Sequence, residues 1–207
     1  VNDVNGNIVS FLYRIEGKGT KTISSLHEND KIQVFGPLGK GFDISNLKGK
    51  TAVIGGGIGV APLLYLCKVL GKKADVYLGY KDSENMYIFD EFKSLAGRCV
   101  IVTEDGSYGE KGYVTDYVDY EHYDAVAACG PEIMMNKIAH ICKTQNISST
   151  SSFTCKFYRL QRFFSEINNS MCFSSSTHIQ TIFVIRIKNQ PLHFFQSSTV
   201  SPWTIYD

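Results

Sequence analysis

The pattern of hydrophobic and polar positions differs between the first part of this chain and the part from residue 49 onward. In the first part, residues 8–15 (IVSFLYRI) are rich in β-branched and aromatic side chains, which is typical of a strand. A turn with two glycines follows at 17–20, and residues 30–42 predict a second strand that ends in a loop rich in glycine and proline. We interpret residues 1–48 as the C-terminal part of a small β domain whose first strands would precede the present first residue.

From residue 49 onward, short continuous apolar runs alternate with longer amphipathic segments. The short runs favour buried strands, and the longer segments favour helices. The predicted strand–helix pairs are 51–57 with 61–71, 74–81 with 85–97, 99–106 with 113–123, and 124–131 with 132–146. Four such units in succession predict an α/β domain over residues 49–147, in which a parallel sheet carries helices on both faces. Ligands of such sheets bind at the carboxyl ends of the strands.

The pattern breaks near Ile147, where a fifth strand is expected. Serine becomes frequent beyond this point, and no glycine occurs after Gly130. Apart from residues 181–187 (TIFVIRI), the apolar positions follow neither a helical nor a strand period. We therefore expect residues 148–207 to be an aberrant tail, disordered or loosely collapsed. Without a fifth strand, the strand at 124–131 would present an exposed apolar edge.

Composition excludes several classes of function. The formal net charge of +1 gives no electrostatic reason to expect a nucleic acid partner. Hydrophobic residues make up 43% of the chain, but no apolar run is long enough to span a membrane. The cysteines are widely spaced, with no Cys-x-x-Cys pair, so we expect no zinc or other metal site. Buried, reduced thiols of this kind are typical of a cytoplasmic protein.

A glycine-rich loop follows the first predicted strand of the α/β domain. It contains Gly55, Gly56, Gly57 and Gly59, and the next helix starts near Pro62. Glycines let backbone amides approach a phosphate closely, and the helix N-terminus adds N–H groups and the positive end of a dipole. The loop therefore favours a dinucleotide, although proline replaces the last glycine of the strict G-x-G-x-x-G pattern. The alternative is a tight strand-to-helix turn without a ligand.

A second candidate motif is CGPEIMM, which also joins a buried strand to a helix. Cys129 and Gly130 stand at the carboxyl end of the fourth predicted strand, where a ligand of a parallel sheet would bind. The alternative for Cys129 is a small, well-packed core residue.

Five motifs together resemble one known family. YRIEGKGT, GPLGKGF, GGGIGVAP, TEDGSYGEKGYVTD and CGPEIMM occur in the order and spacing of the ferredoxin–NADP reductase superfamily. The sequence most specifically resembles the electron-transfer subunits of type B dihydroorotate dehydrogenase, which are linked to NAD. The resemblance covers residues 1 to about 147 and then stops abruptly.

The resemblance implies that the β domain binds FAD. The matching positions are Leu12, Tyr13 and Arg14 in the first predicted strand, followed by Gly19 and Thr20. An arginine can pair bidentately with a pyrophosphate, and a glycine lets backbone amides reach it. The alternative is an ordinary half-exposed strand. The missing N-terminal strands would weaken flavin binding.

The resemblance also implies that the α/β domain binds NAD. The four loop glycines would face the pyrophosphate. Cys129 and Gly130 would lie beside the nicotinamide and the flavin ring, which makes Cys129 the candidate catalytic residue. The two cofactors perform the hydride transfer, and the protein positions them.

Two loops complete the predicted nucleotide site. Asp82 follows the second strand and is expected to accept a ribose hydroxyl, although the neighbouring Lys81 leaves the choice between NAD and NADP open. Asp105 and Ser107 lie in the turn-rich loop after the third strand. They either shape the site or only form the turn.

The family further carries a 2Fe–2S cluster, bound by four closely spaced cysteines, and an FMN-containing dihydroorotate dehydrogenase catalytic subunit as partner. After the break this chain has only Cys155 and Cys172, so the cluster ligands are absent. A shift of the reading frame would explain why the fifth strand, the glycines and the cluster cysteines disappear together.

Three functions remain open from the sequence. The first is an electron-transfer flavoprotein subunit that serves dihydroorotate oxidation in pyrimidine biosynthesis, here in an incomplete form. The second is a flavin and NAD(P) module of another iron–sulfur oxidoreductase complex. The third is a non-catalytic remnant that binds a dinucleotide and transfers nothing.

Overall fold

The computed structural model describes residues 3–5, 8–28, 30–32, 41–145, 147–151 and 182–186. The strands are β1 Asp3–Asn5, β2 Ile8–Leu12, β3 Thr51–Gly56, β4 Ala74–Tyr80, β5 Arg98–Thr103, β6 Glu110–Lys111, β7 Ala125–Cys129, β8 Ser148–Ser151 and β9 Ile182–Arg186. The α-helices are α1 Lys18–Ser24, α2 Ala61–Leu70, α3 Phe89–Leu95 and α4 Glu132–Thr144. Within these described ranges, every helix is too short or too polar to cross a bilayer.

The predicted parallel sheet is confirmed. Its strand order is β6-β5-β4-β3-β7-β8, and each neighbouring pair runs parallel. The order reverses direction at β3, since the chain first builds outward through β4 and β5 and then returns to place β7 on the other side. Open sheets bind their ligands next to such a switch point, at the carboxyl ends of the strands.

Helices cover both faces of the sheet, as predicted. On one face, α2 and α3 bury side chains such as Leu63 and Phe92 against β3 and β4. On the other face, α4 buries Ile138 against strand residues such as Val126. Adjacent residues of β7 point to opposite faces, so its continuous apolar sequence fits a strand that is buried on both sides.

Two helix predictions were wrong, one in extent and one in type. Helix α3 starts only at Phe89, because residues 83–85 form a 3₁₀ turn of their own. Residues 113–123 form two 3₁₀ turns, Val114–Asp116 and Tyr120–His122, rather than one helix. Their β-branched and aromatic side chains favour helices weakly, and they cover the sheet instead.

Residues 17–20 were predicted to form a turn, but the structure places the start of α1 there. The Thr20 hydroxyl oxygen accepts the backbone N–H groups of Glu16 and Gly17, at 3.0 and 3.1 Å. These bonds satisfy donors that a helix start leaves open, and they stabilise a short helix.

The predicted exposed edge of the fourth strand of the α/β domain is wrong. Ser148–Ser151 pairs with β7 in parallel, so the sheet continues for one more strand. Ile182–Arg186 pairs antiparallel with β2. Strand pairing uses backbone groups, and a serine-rich segment can therefore supply it. The remainder of the predicted tail and residues 33–40 of the predicted second strand lie outside the described residues.

Candidate nucleotide-binding site

The glycine loop and the CGP motif meet at the carboxyl edge of the sheet. Gly55 and Cys129 are direct partners in the β3–β7 register. A Cβ placed on Gly59 would lie 2.5 Å from the Cys129 carbonyl oxygen and 2.7 Å from the Gly130 Cα. Because no side chain fits between these backbones, Gly59 holds the two loops together. The predicted position of both motifs at this edge is confirmed.

Gly56 and Gly130 pack tightly against each other and against the start of α4. A Cβ on Gly130 would lie 3.1 Å from the Gly56 nitrogen. A Cβ on Gly56 would meet the Met134 sulfur at 2.7 Å and the Pro131 Cδ at 2.9 Å. These glycines therefore allow two strand ends and the start of α4 to pack against one another. The packing role of Met134 was not predicted from the sequence.

Gly57 differs from Gly55, Gly56 and Gly59 of the same loop because the space above it is open. Its φ of +53° lies in the left-handed region, which glycine adopts without strain. The nearest atom that a Cβ would meet there is the Arg14 Nη2, at 4.0 Å. Gly57 begins the 3₁₀ turn that leads into α2, and Pro62 lies in the first turn of that helix. The turn runs directly into α2, since the Ala61 N–H donates to the Ile58 carbonyl, so the end of the helix that carries the positive partial charge lies at the start of the turn, where it favours an anion.

Arg14 reaches this turn from the segment after β2. Its Nη1 lies 3.3 Å from the Glu16 Oε1, and both side chains are 37% exposed. Burial raises the pKa of the Tyr87 hydroxyl to about 12, while the positive charge of Arg14 acts in the opposite direction. Arg14 thus lies between the loop after β4 and the glycine turn.

The other predicted flavin positions have separate contacts in the described part of the chain. Leu12 packs against the core beside α2, and burial raises the pKa of Tyr13. Gly19 lies within α1, and Thr20 uses its hydroxyl to support the start of that helix. Their assignment to FAD stays a prediction.

The loops after β4 and β5 are tied to each other. Asp82 Oδ1 accepts the backbone N–H and the side-chain amide of Asn85, at 2.9 and 2.6 Å. Ser107 donates two hydrogen bonds to Asp105, which lower the pKa of that carboxyl. The Ser107 hydroxyl also accepts the Ser83 N–H at 2.8 Å. The sequence had left open a turn-forming role for Asp105 and Ser107, and these bonds provide it. The ribose contact of Asp82 stays a prediction.

Cys129 is buried, with 2% of its surface exposed. Its side chain belongs to the core on the α2 side of the sheet, and its backbone carbonyl contacts the glycine loop. A role for the thiol beside the nicotinamide stays a prediction.

A cluster of aromatic and cationic side chains near these loops was not predicted. The Phe89 and Tyr108 rings lie 5.8 Å apart, and the Lys93 ammonium lies 4.8 Å from the Phe89 ring centroid. Lys93 also donates to the Tyr108 hydroxyl at 3.3 Å. Phe89 and Lys93 lie one turn apart in α3, whereas Tyr108 comes from the loop after β5, so its contact with them depends on the folded chain and was not predictable from the sequence.

Comparison with known proteins agrees with this geometry. Residues 53–140 match the family model for the oxidoreductase NAD-binding domain. The chain is 43% identical over 148 residues to the dihydroorotate dehydrogenase B (NAD(+)) electron transfer subunit of Clostridium acetobutylicum, covering 71% of this chain and 59% of that protein. For the corresponding subunit of Clostridium perfringens, the identity is 41% over 153 residues, covering 72% and 61%. The aligned part of the chain therefore spans about three fifths of these relatives.

A solved structure supports the same fold. The NADH-dependent reduced ferredoxin–NADP oxidoreductase, described for its flavin-based electron bifurcation, superposes with a TM-score of 0.52 at 26% identity. The match covers 67% of this chain and 52% of that one. Residues 53–140 therefore resemble an oxidoreductase NAD-binding domain with the fold of the ferredoxin–NADP oxidoreductase, and the resemblance to the electron-transfer subunits of type B dihydroorotate dehydrogenase is confirmed over the aligned part of the chain.

Proposed function

We propose that residues 1 to about 147 are the flavin- and NAD-linked part of an electron-transfer subunit. The subunit would pass electrons between an iron–sulfur cluster and FAD on one side and NAD on the other, during dihydroorotate oxidation in cytoplasmic pyrimidine biosynthesis. Its partner would be an FMN-containing dihydroorotate dehydrogenase catalytic subunit. The observation that carries this proposal is the contact of Gly59 with Cys129 and Gly130, which joins both family motifs at one site. The 43% identity to the clostridial subunit supports the same function.

The chain would hold NAD through its backbone. The start of the Gly57 turn would offer backbone N–H groups to the pyrophosphate, and Gly57 leaves room for it. When bound, NAD and FAD exchange a hydride between the nicotinamide and the flavin ring. Gly56 and Gly130 allow the ends of β3 and β7 to pack closely against the start of α4, which would fix the position of the backbone that faces the rings. The contribution of the protein is therefore close positioning.

The adenosine half of NAD would lie against the loops after β4 and β5. Asp82 has a second carboxylate oxygen to accept a ribose hydroxyl, and its negative charge would repel the additional phosphate of NADP. The rings of Phe89 and Tyr108 offer an apolar surface for an adenine base. We therefore propose a preference for NAD over NADP.

A flavin reduction assay tests this function. Purified protein is mixed with FAD under anaerobic conditions, NADH is added, and the flavin absorbance is followed. We expect NADH to bleach the flavin faster than NADPH does, with a parallel sample without protein as the background. Dithionite provides the fully reduced endpoint. A rate equal to the background would support the third alternative, a nucleotide-binding remnant without electron transfer.

The same material tests the flavin site. We propose that Arg14, Gly19 and Thr20 contribute to FAD binding, because the family resemblance places them in its flavin segments. Arg14→Gln should remove a charge-assisted hydrogen bond, which is worth about 1.5–3 kcal/mol of binding free energy. An FAD affinity that this substitution leaves unchanged would contradict the assignment of Arg14.

A second candidate function is a flavin and NAD(P) module of another iron–sulfur complex. The 26% identity and TM-score of 0.52 to the ferredoxin–NADP oxidoreductase favour it. A pull-down with the purified dihydroorotate dehydrogenase catalytic subunit distinguishes the two functions. Stable association supports the first candidate, and association with ferredoxin in its place supports the second.

The origin of residues 148–207 is a separate proposal. We infer that they come from a shifted reading frame, because the family resemblance and the glycines end at about the same place. Translation of the other two frames of the gene beyond codon 147 should recover a valine-rich strand and four closely spaced cysteines. The absence of both would contradict the frameshift. The purified chain should contain no stoichiometric iron, and iron equivalent to one cluster per chain would contradict that expectation.

A further inference from the structure

One ion pair joins the strand pair β1–β2 to helix α2. The Lys68 ammonium lies 2.6 Å from the Asp3 Oδ2. Asp3 belongs to the strand pair that leads into the predicted flavin segment, and α2 follows the glycine loop of the candidate nucleotide site. We propose that Asp3 and Lys68 are positioning residues, which set the distance between the flavin and the nicotinamide for hydride transfer. This inference rests on the proposed function and names two residues that control its rate.

The strand pair transmits the position of Asp3 to the flavin segment. In the antiparallel register, Asp3 lies opposite Ser10 of β2. Strand β2 ends at Leu12, which packs against the core beside α2. The chain then continues directly into Tyr13 and Arg14, two of the positions that the family resemblance assigns to FAD. A shift of Asp3 relative to α2 would therefore also move the flavin segment.

Two contacts hold this part of the chain near opposite ends of α2. Before the start of the helix, the Arg14 Nη2 lies 4.0 Å from the position that a Cβ would take on Gly57. Lys68 belongs to the last turn of α2, well beyond its first residue, Ala61. At about 1.5 Å per residue, these two ends of the helix are about 10 Å apart. A single contact would let the strand pair rotate on the helix, whereas two separated contacts restrict that rotation.

The Asp3 carboxylate depends on Lys68 as its charged partner. The side chain of Asp3 is 20% exposed, and that of Lys68 is 39% exposed. The second carboxylate oxygen, Oδ1, is buried, and within the described part of the chain no hydrogen bond reaches it. A carboxylate with this little access to water is costly without a partner. Loss of the Lys68 charge should therefore release Asp3 toward water and loosen β1 from the helix.

Hydride transfer is the step that depends most on this contact. The transfer carries two electrons and one proton from the reduced nicotinamide to the flavin ring, and water supplies the second proton of the reduced flavin. Such a step needs the reacting atoms in close contact, and a misplacement of about 1 Å can slow it about a hundredfold. Binding of each cofactor depends on contacts within its own domain, so affinity should respond much less than rate.

Stopped-flow flavin reduction tests the inference. The full chain is saturated with FAD and NADH, and the rate of flavin bleaching is measured. Asp3→Asn and Lys68→Gln should each slow the saturated rate about fivefold, because the Arg14 contact remains. The double variant should be no slower than either single variant, since both changes remove the same contact.

Affinity is measured separately by isothermal titration calorimetry. FAD is one ligand, and ADP-ribose is the other, because it carries the pyrophosphate without the reactive nicotinamide. Both Kd values should change less than about twofold in the single variants, since neither residue belongs to a cofactor motif.

Three controls separate positioning from a general loss of charge or structure. Asp3→Lys combined with Lys68→Glu reverses the pair and should restore part of the rate, although a glutamate at the end of α2 opposes the helix dipole. Lys73→Gln removes an exposed positive charge from the turn after α2 and should leave the rate unchanged. Hydrogen exchange without cofactors should become faster in β2 of the Lys68→Gln variant and stay unchanged in β4.

The outcomes distinguish this inference from the function on which it rests. If the wild-type chain reduces FAD and both single variants match its rate, the positioning role is overturned while the function stands. A weaker FAD affinity with an unchanged saturated rate indicates a binding role and also overturns it. Slowing that the reversed pair does not relieve, with faster exchange in β4 as well, indicates general destabilisation and overturns it too. If the wild-type chain bleaches no flavin above background, the proposed function is wrong and this inference is wrong with it.

Discussion

The two ends of the parallel sheet differ in the contacts that hold them together. At the carboxyl edge, glycines bring backbones together and leave one open turn at Gly57. Toward the amino edge, three buried polar side chains and one exposed lysine connect β4 to the segments before β3 and β7. We call Lys50, Asp75, Tyr77 and Tyr123 the amino-edge network.

The amino-edge network is fully connected. The Lys50 ammonium lies 3.0 Å from Asp75 Oδ2, and the Tyr123 hydroxyl donates to the same oxygen at 2.9 Å. The Tyr77 and Tyr123 hydroxyls lie 2.8 Å apart. Because Tyr123 gives its only proton to Asp75, Tyr77 acts as the donor between the two hydroxyls. Asp75 is only 5% exposed, and it is paired with both a charge and a hydroxyl group.

We infer from this contrast that the amino edge of the sheet provides stability and the carboxyl edge provides binding. A buried network with satisfied partners favours one packing arrangement of the strands. A backbone site with glycines contributes little side-chain packing but leaves space and N–H groups for a ligand. We therefore expect damage at the amino edge to lower stability without changing nucleotide affinity. Damage at the carboxyl edge should change affinity in every case.

Gly59→Ala tests the carboxyl edge with the largest expected effect. The added methyl group would overlap the backbone of Cys129 and Gly130, which cannot move aside as a side chain can. We expect a loss of about 3 kcal/mol in the free energy of unfolding. We also expect loss of ADP-ribose binding. Urea denaturation and calorimetry measure the two quantities.

Gly19→Ala is the stability control for this substitution. Within the described part of the chain, a Cβ on Gly19 meets no atom within 4 Å. Because Gly19 lies in α1, alanine should stabilise the chain by about 0.5 kcal/mol. If Gly59→Ala retains wild-type stability, the close contact between the two motifs is not present in solution.

Tyr123→Phe tests the amino edge. It removes the hydrogen bond to Asp75 and leaves the Tyr77 hydroxyl, which is buried, without its partner. A buried polar group left unsatisfied costs about 2 kcal/mol. We expect that loss in the free energy of unfolding, with an unchanged Kd for ADP-ribose. A changed Kd in a folded variant would show that nucleotide affinity depends on the amino edge as well.

Tyr117→Phe is the matched control. Tyr117 is 37% exposed, and its hydroxyl donates to the Lys111 carbonyl at 2.8 Å. Water can replace this bond, so the same chemical change should cost less than about 0.5 kcal/mol. A similar loss in both variants would indicate that burial of the network contributes nothing specific.

The sheet was predictable from the sequence because its strands are continuous apolar runs between glycines and short polar segments. Helix α2 was predictable because Pro62 and Gly71 mark its two ends. The segment 113–123 was not, since its apolar positions cover the sheet in two turns that follow no regular period. Strand β8 was missed because its pairing depends on backbone groups, which carry no sequence signal.

The candidate site was predictable only as a set of motifs. The sequence identified the loop glycines but not their separate roles. Gly59 is needed for its lack of a side chain, whereas Gly57 is needed for its positive φ and lies under open space. That distinction depends on which residues lie opposite each glycine in the folded chain. The place of Arg14 at the Gly57 turn was hidden for the same reason.

Two substitutions of Gly57 test this distinction between conformation and space. Gly57→Ala forces a side chain into the left-handed region and should cost about 1 kcal/mol of stability. Gly57→Asn should cost less, because asparagine tolerates that region better. Both should weaken ADP-ribose binding, since each places atoms where the ligand would lie. If alanine and asparagine cost 3 kcal/mol or more, on the order expected for a steric clash, Gly57 is packed like Gly59.

The smallest expected effect comes from the ion pair between Asp116 and Lys137, which fastens α4 to the turn at Val114–Asp116. Both side chains are about half exposed, so a double-mutant cycle with Asp116→Asn and Lys137→Gln should give a coupling of about 0.5 kcal/mol.

The hydrogen bond from Lys137 lowers the pKa of Asp116 below its ordinary value of 3.8. A lowered carboxyl pKa stabilises the fold above the ordinary value, and this stabilisation is lost as the pH falls through the lowered pKa. The coupling should therefore be present at neutral pH and decline only below about pH 4. A coupling above about 2 kcal/mol at neutral pH would show that side-chain charges, and not only backbone packing, hold the carboxyl edge together.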